Sequence, residues 1–72
     1  MSTKKSRIVK GICDTYIATE QIDPVSGKPF LEITEAVVSD GETFSGDWLC
    51  DIDGSLSDSD EYILNEIDSA MA

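Results

Sequence analysis

The chain is predicted to be a small α+β protein: a three-stranded antiparallel β-meander followed by a C-terminal amphipathic helix. Three observations carry that expectation. Two clusters of turn-forming residues, Asp23–Pro29 and Ser39–Glu42, separate extended segments. The segment between them alternates in polarity as a half-buried strand does. The last residues return to apolar side chains at helical spacing.

The first strand is expected within Ile8–Ile22, where Ile8, Val9, Ile12, Thr15, Tyr16, Ile17 and Thr19 stand close together. Four-residue spacing of its apolar positions would also suit a helix, but Gly11 and the β-branched residues favour a pleated strand. Pro24, Ser26, Gly27 and Pro29 then form the hairpin connection. In Phe30–Val38, Leu31, Ile33 and Val37 make the expected core face. Asp40-Gly41 signals a second tight turn. Thr43–Ile52 gives the third strand, with Phe44, Trp48, Leu49, Cys50 and Ile52 as core candidates and Gly46 as an interruption. After the Gly54–Glu61 loop, Asp58 or Ser57 is expected to cap a helix, with Glu61 at the capping-box distance from Asp58. Ile63, Leu64, Ile67, Ala70 and Met71 form its apolar stripe. Residues 1–7 lack apolar periodicity and read as a flexible basic arm, leaving 8–72 as a single domain.

Seventy-two residues, 40% of them hydrophobic, support one modest core. No apolar stretch approaches the length of a membrane span, and the basic N-terminus does not lead into a secretory h-region. A cytoplasmic protein is therefore expected. Cys13 and Cys50 lie far apart in a chain without histidine. That combination argues against structural zinc and reads as two small buried hydrophobes.

The same lack of histidine removes the commonest general base, and no phosphate-binding loop or nucleophile elbow is present. A non-enzymatic protein without a cofactor is expected. A calcium loop over residues 51–61 would place Gly54 at its sixth position. Asp51, Asp53, Ser55 and Ser57 then fall on ligand positions, but Leu49 occupies the first and Asp60 replaces the final glutamate. A solvated acidic loop suits these residues better.

Charge is the informative signal. The chain carries 15 acidic and 5 basic residues, a formal net charge of −10. Lys4, Lys5, Arg7 and Lys10 form a basic arm, Lys28 is the fifth cation, and no lysine or arginine occurs from Pro29 to Ala72. The arm lacks interleaved aromatics, which argues against direct nucleic-acid binding. Self-repulsion of this size strains a compact chain, so it suggests a charge-complementary partner as well as solubility. The expected face comprises Asp47, Asp51, Asp53, Asp58, Asp60, Glu61, Glu66 and Asp68, with Tyr62 as its exposed aromatic and Trp48 inside.

In charge and length the chain resembles small phage-encoded inhibitors and DNA mimics. That resemblance implies a partner with a basic nucleic-acid-binding surface: an RNA polymerase, CRISPR effector, restriction enzyme or repair enzyme of the host cytoplasm. The rival expectation is an accessory or antitoxin-like interaction module, ordered mainly in its complex.

Overall fold

The computed structural model describes residues 5–72. Four strands run in chain order across one antiparallel sheet: β1 (Lys5–Lys10), β2 (Thr15–Ile22), β3 (Pro29–Ser39) and β4 (Glu42–Asp53). A single helix, α1 (Asp60–Met71), follows.

The sheet has four strands where three were expected, because Ile8–Ile22 is two strands joined by a tight turn. The Gly11 N–H donates to the Asp14 carbonyl at 2.7 Å, folding the chain back on itself. Ile12 and Cys13 disguise that turn in the sequence. Both are exposed at its tip, where apolar side chains gain nothing from burial. The same hairpin draws Lys5–Arg7 into β1, opposite Glu20, Thr19 and Ala18. These three residues belong to the sheet and not to a flexible arm.

The other two turns form where expected. Asp23 Oδ1 accepts from the Val25 N–H at 2.8 Å, and its carbonyl accepts from Gly27, which sits at φ 72°. Asp40 and Gly41 both take positive φ, 53° and 80°, the geometry that a two-residue hairpin turn demands.

One sheet face carries the core. Val9, Tyr16, Ala18, Leu31, Ile33, Cys50 and Ile52 meet Ile63 and Ile67 of the helix, with Leu49, Leu56 and Leu64 packed around them. Ile63 and Ile67 are fully buried and four apart, so they stack on one side of α1. Each contributes about 1.5–3 kcal/mol through burial. The cap is Ser59, one residue beyond the expected Asp58: its Oγ accepts from the Tyr62 N–H at 3.2 Å. Asp58 instead closes the preceding loop, accepting from the Ser55 N–H at 2.9 Å. Ala70 and Met71 are exposed, so the apolar stripe buries only its first two turns.

Among the described residues no helix covers the opposite face. Ile8, Ile17, Thr34 and Trp48 lie in register across its four strands. Trp48, expected in the core, is 59% exposed there. The cause is a register shift. One step along β3, from Ile33 to Thr34, corresponds to two along β4, from Cys50 to Trp48. The extra residue, Leu49, turns toward the core and Trp48 turns away from it.

Cys50 is buried as expected, whereas Cys13 is exposed and both thiols are free. Among the described residues no helix is long and apolar enough to cross a membrane.

Candidate interaction surface

β4, the loop after it and α1 hold all nine residues expected to contact a partner, in two separate settings. Asp47, Asp51 and Asp53 are exposed on β4, the strand at the sheet's edge. Asp58, Asp60, Glu61, Tyr62, Glu66 and Asp68 belong to the loop and helix that follow.

Several of these carboxylates already serve the fold. Asp60 pairs with Arg7, whose other terminal nitrogen donates to the Asp58 carbonyl at 2.8 Å. Asp58 holds Ser55, and Asp51 Oδ1 accepts from the Trp48 indole N–H at 2.9 Å. Tyr62 lies beside Gly54, with its hydroxyl 3.4 Å from both the Asp53 carbonyl and Glu66 Oε1. Desolvation against this loop, then the nearby Glu66 and Asp58 carboxylates, raises the Tyr62 phenol above its ordinary pKa. Asp47, Asp53, Glu61 and Asp68 accept no side-chain hydrogen bond among the described residues, so their carboxylates are available.

The basic residues are also divided. Arg7 is spent on the helix, while Lys5 and Lys10 are exposed on β1 at the other edge of the sheet. Lys4 lies outside the described residues.

A second acidic surface escaped the sequence reading. The last β2–β3 pair toward the ribbon tip is Tyr16–Glu35, whereas β3 and β4 continue pairing to Ser39–Glu42. The end of this hairpin is thus a two-stranded ribbon projecting past the sheet. Val37 and Phe44 pair across it and are 45% and 50% exposed. Val37 was expected in the core with Leu31 and Ile33. Its face is correct, but the neighbouring strands and helix that would bury it stop short. The ribbon and its turn also carry Glu35, Asp40, Glu42 and Asp47, and no lysine or arginine. Nothing in the sequence signalled this, because Ile8–Ile22 read as one strand longer than Phe30–Val38, and only its division into β1 and β2 leaves the ribbon projecting.

The calcium reading finds no geometric support. Asp51 and Asp53 stand on extended β4, and among the described residues no three Cys, Asp or Glu side chains converge as a cation site. Compared with known proteins, the chain matches no family model, no curated protein and no solved structure.

Proposed function

We propose that this protein acts by binding, without chemistry of its own, and that its acidic surface engages the basic nucleic-acid-binding surface of another protein. A single observation supports this most. Fifteen carboxylates are set against four described cations, and among the described residues only Arg7–Asp60 forms an ion pair. Among the described residues no other ion pair neutralises the remaining carboxylates. They project from β4, the ribbon and α1 on a scaffold that holds their spacing.

Such a surface stands in for the phosphates of a nucleic acid and is steered to a cationic groove. Exposed Trp48, Phe44 and Tyr62 add the apolar and aromatic area that charge alone does not supply. The phage-type inhibitor suggested by charge and length is one form of this activity, acting in a host cytoplasm.

The test is capture of nucleic-acid-binding proteins on immobilised chain, with duplex DNA as competitor and ionic strength varied. Captured proteins should be released by the DNA and lose most of their affinity between about 50 and about 200 mM salt. Retention that ignores both salt and competitor would overturn the reading.

A further inference from the structure

β4 is an edge strand of 12 residues. Among the described residues no backbone group pairs with its outer edge. Such an edge is a template for another strand, and proteins commonly blunt it with charge or bulges. Both devices are present: Glu42, Asp47, Asp51 and Asp53, and register shifts near Trp48 and Ser45. Charge of one sign, however, protects selectively. It repels a second β4 edge, and it attracts an incoming strand that carries lysine or arginine.

The surroundings of the edge match that chemistry. The pairing register puts Phe44 on one sheet face beside Val37, and Trp48 on the other beside Thr34. A strand added to β4 would therefore meet an exposed aromatic on each of its own faces. Carboxylates precede, separate and follow the two rings. No cation of this chain lies on β3, β4 or α1 to compete.

We infer that the outer edge of β4 is a docking edge for an extended cationic segment of the partner protein, added as a fifth strand. Main-chain hydrogen bonds supply affinity, and the alternation of basic and apolar side chains supplies selectivity. This rests on the acidic-surface reading above and assigns its principal contact.

The experiment uses the full chain and a synthetic ten-residue peptide alternating lysine and valine. Binding is followed by Trp48 fluorescence and by amide hydrogen exchange. The peptide should shift the fluorescence and protect β4 amides, while a glutamate–valine peptide should do neither. N-methylation of alternate peptide amides, which keeps every charge but removes strand pairing, should weaken binding by about tenfold or more. The double substitution Asp47→Lys/Asp53→Lys, which leaves the Trp48–Asp51 hydrogen bond in place, should remove the fluorescence response.

Equal binding of the methylated peptide, or protection confined to α1, would overturn the docking edge and leave the acidic-surface reading standing. Failure of both the peptide and polylysine to bind at low salt would overturn both. Sedimentation showing that copies of the chain occupy one another's β4 would also refute the assignment.

Discussion

Arg7 and Asp60 join the first strand to the first turn of the helix across 53 residues of sequence. Arg7 also donates to the carbonyl of Asp58, so one guanidinium holds both the loop and the helix start. The side chains are 32% and 52% exposed, which keeps solvent screening high and the pair weak in itself. Replacing Arg7 with alanine should cost about 1 kcal/mol and lower Tm by about 4–8 °C. Arg7→Lys should recover only part, because an ammonium lacks the planar fork that spans both acceptors. Thermal melts followed by circular dichroism check this; an unchanged Tm would show that the bridge does not support the fold.

Gly46 occupies a place in β4 where a side chain has no room. A Cβ there would lie 2.9 Å from Val37 Cγ2 and 3.1 Å from Glu35 Cβ. Gly46→Ala should therefore destabilise the chain by about 1–3 kcal/mol. Val37→Ala should relieve part of that penalty in the double variant, a non-additivity readable from urea unfolding. Strict additivity would mean that the ribbon moves aside without cost.

Alkaline pH should weaken the fold. Burial first, then Asp14 and Asp68, raises Tyr16 above its ordinary 10.0. Burial first, then Asp51, raises Cys50 above 9.0. The folded chain keeps these protons to higher pH than the unfolded chain does. Their contribution to stability is thus complete below the ordinary values and is lost as pH rises through the folded ones. Urea midpoints should fall between about pH 8 and about pH 10.5. Under native conditions a thiol reagent should modify Cys13 rapidly and Cys50 only after unfolding, since only Cys13 is exposed.

Added salt should stabilise the isolated chain. With a net charge of −10 and Arg7–Asp60 its one ion pair among the described residues, screening removes more repulsion than attraction. Tm should rise from about 10 to about 500 mM sodium chloride, where the Debye length drops from about 30 Å to only a few ångströms. A falling Tm would show that attractive pairs dominate the surface.

Local chemistry was enough to determine much of this protein. Asp23–Pro29 and Asp40-Gly41 form turns because their backbone preferences are intrinsic to those residues. Leu31, Ile33, Ile63 and Ile67 are buried because period-two and near-four spacing each place apolar groups on one side of their element. The charge asymmetry was also plain from order alone.

Tertiary structure decided the rest. Ile12 and Cys13 read as strand by composition, and only pairing of β1 with β2 makes them a turn. Trp48 read as core by its size, yet a β4 register shift, which depends on the facing strand, turns it outward. Asp60 read as part of an open acidic face and Arg7 as part of a flexible arm until folding pairs them. A sequence records which side chains can be buried or charged; register and packing decide which neighbours remain to bury or neutralise them. The same reason leaves the outer edge of acidic β4 unpaired among the described residues.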